Sequence, residues 1–384
     1  MYQRTLEQRI EQYLFRGRVV TLLGARRTGK TTLVKVLLDK YTDKRTRYLN
    51  CDLQSVQFAL EIQEAEPLKA FIGDQDLVVL DEAQNIKEIG KVLKILVDTY
   101  PEMQIIATGS SSFDLVNKTG EPLTGRVFAF KLYPLSLQEI AGSNGYSVIE
   151  PQLEHFLRFG LYPAIVPLSN DDAAMQLDEL AANYLYKDIL AFAGVKRARI
   201  ITDLVRLLAL QVGNEVSYNE LAVNLGVDRK TVASYLDLLE QCFVVFRLGA
   251  FSRNLRKEVA KSQKVYFYDL GVRNALLQAF APVSLRTDVG ALWENFCIVE
   301  RLKYADNNGI RANRYFWRTY DQKEIDYIEE RDGKLTGFEC KWNPTRRMRS
   351  PKDFLDTYPG STINQIDRTN YWRYLIPPVD APRR

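Results

Sequence analysis

Apolar residues fall in short unbroken runs before about residue 140 and at helical spacings after it, so the chain changes architecture there. Val19-Val20-Thr21-Leu22-Leu23, Leu77-Val78-Val79-Leu80 and Gln104-Ile105-Ile106-Ala107-Thr108 are strand-length runs with little or no polar alternation. That is the form of strands buried on both faces of a parallel sheet. Tyr48-Leu49-Asn50-Cys51 and Val127 to Leu132 add two more. Helical stretches between them complete an alternation that predicts a parallel α/β domain over residues 1–140. From Leu137 to about Leu210, Leu180, Tyr184, Leu185 and Ile189 recur at helical spacing and predict a small helical lid over 141–210, with Phe159-Gly160-Leu161-Tyr162-Pro163 as a turn inside it. Ser217 and Glu220 form a capping-box pattern before a helix ending near Gly226, and Asp228 heads a second helix carrying Val232, Tyr235, Leu236 and Leu239 on one face. Strands expected at Phe243–Phe246 and Val265–Tyr268 make residues 211–285 read as a winged helix. Residues 286–384 read as a C-terminal α/β domain.

Chemistry enters at the ends of the apolar runs. Gly24-Ala25-Arg26-Arg27-Thr28-Gly29-Lys30-Thr31-Thr32 follows the first strand and opens a helix through Leu33, Val34, Val36 and Leu37. Glycines at both ends of such a loop let backbone N–H groups face phosphates at the positive end of the helix. Lys30 would place a charge on the β- and γ-phosphates, and Thr31 a hydroxyl on Mg²⁺. The second run ends in Asp81-Glu82, where Asp81 would hold Mg²⁺ and Glu82 would polarise an attacking water. The third runs into Gly109-Ser110-Ser111-Ser112, and Thr108 or Ser110 would sense the γ-phosphate. These residues predict an ATP hydrolase using ATP and Mg²⁺.

Composition narrows the rest. With 384 residues, 46% hydrophobic and 26% charged, several globular domains are expected. No apolar run is long enough to span a bilayer and the first residues lack a secretory pattern, so no membrane partner and a cytoplasmic location are expected. Four scattered cysteines, Cys51, Cys242, Cys297 and Cys340, point to buried thiols, and a single histidine leaves chemistry to carboxylates and lysines. The net charge of +4 permits nucleic-acid binding without requiring it. It is unevenly spread. Residues 247 to 264 hold six basic residues (Arg247, Arg253, Arg256, Lys257, Lys261 and Lys264) against Glu258 alone. With Arg229 and Lys230 at the head of the second helix, this stretch is where DNA phosphates would dock. A winged helix can equally pack on protein, so a protein partner or a second copy of the chain is the alternative.

A second constellation lies near the C-terminus. Glu294 sits in a helical run, Asp326 in Glu324-Ile325-Asp326-Tyr327-Ile328, and Glu339-Cys340-Lys341 ends a strand-like segment. A spacing of 13 residues from Asp326 to Glu339 suits a hairpin. Carboxylates that could hold one or two Mg²⁺, with a lysine to orient water, form the inventory of a metal-dependent nuclease. A structural charge cluster is the other reading.

These blocks together resemble a widespread prokaryotic family of AAA+-related P-loop ATPases that carry a winged helix and a C-terminal domain similar to the PD-(D/E)xK nucleases. The resemblance rests on Gly24 to Thr32, Leu80-Asp81-Glu82-Ala83-Gln84, Thr108-Gly109-Ser110-Ser111, Leu123-Thr124-Gly125-Arg126, Pro134-Leu135-Ser136, Lys264 to Gly271, and Glu294, Asp326, Glu339 and Lys341. It implies Arg126 as a transition-state cation, acting in its own chain or across an oligomer. It also implies a metal site at Glu294, Asp326 and Glu339 with Lys341 beside it. Tyr2-Gln3-Arg4 resembles the family's basic entry segment near adenine. Cys340 departs from the aliphatic residue commoner at its position.

Overall fold

The computed structural model describes residues 2–110, 123–183, 198–253, 262–346, 348 and 352–376. The chain divides into two compact units, one formed by residues 3–134 with 241–243, the other by the rest.

In the first unit the elements alternate: α1 (Thr5–Glu11), β1 (Val19–Leu23), α2 (Lys30–Lys40), β2 (Thr46–Asn50), α3 (Gln54–Leu60), α4 (Ala65–Ile72), β3 (Leu77–Asp81), α5 (Ile89–Thr99), β4 (Gln104–Gly109) and β5 (Val127–Lys131). The strands form a parallel sheet in the order β2-β3-β4-β1-β5. β1, β3 and β4 are buried along their whole length, which explains their unbroken apolar runs. α5 turns Ile89, Val92, Leu93, Leu96 and Val97 inward, the i, i+3, i+4 stripe of a helix lying on a core. Register pairs Leu23 with Gly109 and Leu80 with Ala107, so the phosphate loop, Asp81 and Thr108 gather at the carboxyl edge of the sheet. Ligands bind at this edge of open α/β sheets.

The second unit begins with helices: α6 (Leu137–Asn144), α7 (Ile149–Phe159), α8 (Asn170–Asn183), α9 (Ala198–Leu210), α10 (Tyr218–Leu225) and α11 (Arg229–Gln241). It continues with β6 (Val245–Ala250), β7 (Gln263–Phe267), α12 (Leu270–Leu277), α13 (Val289–Asn307), β8 (Asn313–Arg318), β9 (Glu324–Arg331), β10 (Lys334–Cys340), α14 (Lys352–Thr357), β11 (Thr362–Ile366) and α15 (Trp372–Leu375). Ser136 and Glu139 make a reciprocal capping box at the head of α6. Glu300 of α13 accepts from the Leu137 N–H at 2.7 Å while pairing with Lys303 at 2.8 Å, so this buried ion pair also satisfies a helix end.

α10 and α11 are two short helices joined by a turn at Gly226 to Asp228. Ser217 accepts from the Glu220 N–H, Gly226 closes α10 in the left-handed region, and Asp228 accepts from the Thr231 N–H at 2.9 Å. The strands that follow do not stand apart as a wing. β6 pairs antiparallel with β7 but also parallel with β8, and both belong to a six-stranded sheet ordered β11-β10-β9-β8-β6-β7. The expected boundary at 285/286 therefore falls inside a chain segment whose flanking strands share one sheet.

Candidate active site

Residues 24–32 run from the end of β1 into α2. Gly24 tolerates no side chain, since a Cβ there would lie 2.2 Å from the Leu132 carbonyl oxygen. Gly29 has φ +97, a conformation that glycine adopts without penalty. Lys30 is buried and its Nζ donates to the carbonyls of Gly24 at 2.9 Å and Ala25 at 3.0 Å. Thr28 donates to Ala25, and Arg4 clamps the loop by donating to the Thr28 carbonyl at 2.7 Å and the Tyr133 carbonyl at 2.6 Å. Arg26, Arg27 and Thr32 are exposed.

Asp81 collects three hydroxyl donors. Thr31 donates to Oδ2 at 2.8 Å, Tyr48 donates to the same oxygen at 2.5 Å, and Thr108 donates to Oδ1. Burial first, and then the Asp81 carboxylate, hold the Tyr48 phenol well above its ordinary pKa, so it remains a donor. Tyr48 has no motif of its own. It reaches the site because β2 lies beside β3 in parallel register, with Asn50 opposite Asp81. The alternation of Tyr48 and Asn50 on one face of β2 was the available signal.

Glu82 has φ 55 and ψ 44, left-handed for a non-glycine residue. Such a conformation costs of order 1 kcal/mol and persists when neighbours enforce it. Here Thr108 accepts from the Glu82 N–H at 3.0 Å, and the Gln84 side-chain amide donates to Glu82 Oε2 at 2.6 Å. Glu82 Oε1 stands 4.0 Å from Lys30 Nζ. Thr108 thus links both acids, and Ser110 accepts from Gln84 at 3.3 Å.

Two oxygen donors in direct contact, the Thr31 hydroxyl and the Asp81 carboxylate beside a phosphate loop, are the donor set a hard cation such as Mg²⁺ takes. Arg126 does not join them within the chain. It precedes β5, whose first residue pairs with Val19 at the start of β1, so roughly 13 Å of strand separates it from the loop. It is ion-paired to Asp98 at 2.6 Å and 37% exposed. A role in its own chain's phosphate site is therefore corrected by the parallel register.

In the second unit Glu294 of α13, Asp326 of β9 and Glu339 of β10 do approach one another, but two lysines are interleaved with them. Lys264 of β7, 2% exposed, pairs with Glu294 at 3.1 Å and with Glu324. Tyr266 donates to Glu294 at 2.6 Å. Lys341 pairs with Glu339 at 2.5 Å and lies 3.9 Å from Asp326. The predicted hairpin is present, with Phe338 opposite Tyr327, and Asp326 accepts from the Cys340 N–H at 2.8 Å. Burial, and then the charge of Asp326, push both Glu294 and Glu339 up to about 7. Among the described residues no set of three or more carboxylate, histidine or cysteine side chains is disposed to hold a metal ion. Two lysines, Lys264 and Lys341, are thus interleaved with the four carboxylates of Glu294, Glu324, Asp326 and Glu339. Lys264, read from the sequence as part of a basic loop, is the residue that reading misplaced.

Of the other proposed phosphate contacts, Arg229 and Lys230 are exposed at the head of α11. Arg253 pairs with Glu330 at 2.5 Å, and Arg247 is held by Glu240 and by Asp237 at 2.7 Å. Arg256, Lys257 and Lys261 lie outside the described residues. The four cysteines are free and buried, as expected. No helix among the described residues is long and apolar enough to cross a membrane.

Three family models match successive parts of the chain: an AAA domain over residues 16–141, a domain of unknown function (DUF8612) over 150–282, and another (DUF4143) over 289–371. The uncharacterized protein Rv2008c of Mycobacterium tuberculosis is 32% identical over 357 residues, spanning 91% of this chain and 76% of the relative. An uncharacterized protein of Haemophilus influenzae is 24% identical over 351 residues, spanning 85% of this chain and 83% of the relative. A chain in a solved structure of Drosophila ORC bound to AT-rich DNA and Cdc6 is 12% identical, with 72% of this chain and 91% of that one covered and a TM-score of 0.25. The chain belongs to the family of the mycobacterial protein Rv2008c, and its residues 16–141 match an AAA domain.

Proposed function

We propose that the chain is a Mg²⁺-dependent ATP hydrolase whose nucleotide state governs contact between its C-terminal half and DNA. The observation that carries the hydrolase reading is the assembly of Lys30, Thr31, Asp81 and Glu82 at one sheet edge, with the two acids fixed by a shared partner, Thr108. Lys30 would leave the loop carbonyls to bind β- and γ-phosphate oxygens. Thr31 and Asp81 would hold Mg²⁺, which supplies positive charge against the phosphates. Glu82 would accept a proton from water as the water oxygen bonds to the γ-phosphorus. The bond to the bridging oxygen breaks and its electron pair leaves with ADP. Thr108 acts as a positioning residue for both acids.

Support for DNA contact narrows to the head of α11, where Arg229 and Lys230 are exposed on the second helix of a helix-turn-helix. The ion pairs of Arg247, Arg253 and Lys264 favour a second reading, a switch acting on a protein partner, because those cations already have carboxylate partners. The C-terminal acids enter neither reading as a cleavage centre. ATP turnover measured with and without duplex and single-stranded DNA over a salt series separates the two. The DNA reading expects stimulation that falls steeply with salt and is lost in an Arg229→Glu, Lys230→Glu protein that retains basal turnover. Turnover indifferent to DNA at low salt favours the protein partner.

A further inference from the structure

Attack by water requires more than a base. A water molecule has two protons: one passes to the base, and the other must be held by an acceptor if the oxygen lone pair is to face phosphorus. Glu82 can take the first, and the structure offers an acceptor beside it. Gln84 lies in the short turn Ala83–Asn85 directly after Glu82, and its Nε2 donates to Glu82 Oε2 at 2.6 Å and to Ser110 Oγ at 3.3 Å. The Glu82 carboxylate only accepts, so the end of the amide that faces it is the nitrogen. The other end, Oε1, is buried and has no hydrogen-bond partner among the described residues. A buried carbonyl without a donor is costly, and each such atom calls for a function or a water.

Building on the ATPase reading, we propose that Gln84 is a positioning residue for hydrolysis: its Nε2 orients the Glu82 carboxylate and its Oε1 accepts the second proton of the attacking water. Ser110, at the end of β4, fixes the amide from the far side, giving it a role through Gln84 instead of direct γ-phosphate sensing. Neither part needs contact between Gln84 and the nucleotide, so binding and turnover should separate.

The experiment compares full-length wild type, Gln84→Ala and Gln84→Met for Mg·ATP affinity, KM, kcat and melting temperature, and then repeats Gln84→Ala in a Glu82→Gln background. Met keeps the length and bulk of Gln but neither amide atom, so it distinguishes packing from amide chemistry. Both single variants should lose on the order of 10- to 100-fold in kcat, with affinity, KM and melting temperature unchanged. In the Glu82→Gln background Gln84→Ala should cost nothing further, because the base it serves is gone. Wild-type kcat in either single variant, or equal losses of affinity and kcat, overturns the assignment. If wild type binds Mg·ATP without turning it over, the hydrolase reading itself fails, whereas normal wild-type turnover with unaffected variants sinks only the role of Gln84.

Discussion

Around Asp326, burial first and then neighbouring charge set the chemistry of two further carboxylates. Glu294 and Glu339 are largely but not fully buried beside Asp326, and their carboxyls are pushed from an ordinary 4.5 to about 7. The folded protein thus holds protons that the unfolded chain has released, so these groups lower stability as pH rises from about 4.5 to 7. Each unit of such a shift is worth about 1.4 kcal/mol. In Glu339→Gln that loss disappears. Its melting temperature should rise by a few degrees relative to wild type across that window, and a constant difference at all pH values would contradict the assignment. Legibility differed sharply at this scale. Lys30, Thr31, Asp81 and Glu82 were readable because their chemistry lies in contiguous motifs at strand ends. Tyr48 and Lys264 were not, because each reaches its site through strand register, Tyr48 from β2 onto β3 and Lys264 from β7 into the acids of α13 and β9. No local pattern encodes pairing between distant segments.

Among the elements, the buried strands of the first sheet were the most legible, because burial on both faces writes itself as an unbroken apolar run. β1 spans Val19–Leu23 as expected, and β4 lies between β1 and β3 in the sheet. Helix ends were less so. Ser217 receives the expected bond from Glu220, but the full capping box is at Ser136 and Glu139, and the start of α6 also depends on Glu300 from far along the chain. Before α13, Asp288 makes no side-chain cap bond and serves an ion-pair network instead. It accepts from Arg273 at 2.6 Å and Arg286 at 2.8 Å, both nearly buried. Burial opposes its ionisation, yet the Arg286 and Arg273 hydrogen bonds outweigh it and hold the carboxyl at about 2. Its contribution is present above the ordinary value of 3.8 and is lost as pH falls through about 2. Asp288→Asn leaves two guanidiniums short of their carboxylate and should cost about 3 kcal/mol at neutral pH, read by urea unfolding. A cost below 1 kcal/mol would mean that carbonyl partners suffice.

For the whole molecule, the division near residue 140 was legible because the hydrophobic period changes there, and the compact units part at 134/135. The finer division was not. A lid, a wing and a terminal domain were read as successive segments, but β6 and β7 lie in one sheet with β8 to β11, joined by the parallel β6–β8 pair across more than sixty residues of chain. Such pairing is decided by packing that no single segment reveals. The acids expected to hold a metal and the lysine expected in a basic loop thus meet in one ion-paired cluster within that sheet and its helix. The proposed hydrolysis rests on the phosphate loop and the acids beside it. The most direct test is steady-state phosphate release from Mg·ATP by wild type and Glu82→Gln, with nucleotide affinity measured on the same preparations. Wild type should turn over only with Mg²⁺, and Glu82→Gln should bind Mg·ATP with wild-type affinity while its turnover falls by at least ~100-fold. Glu82→Gln turnover at the wild-type rate would contradict the account, because the base would then lie elsewhere.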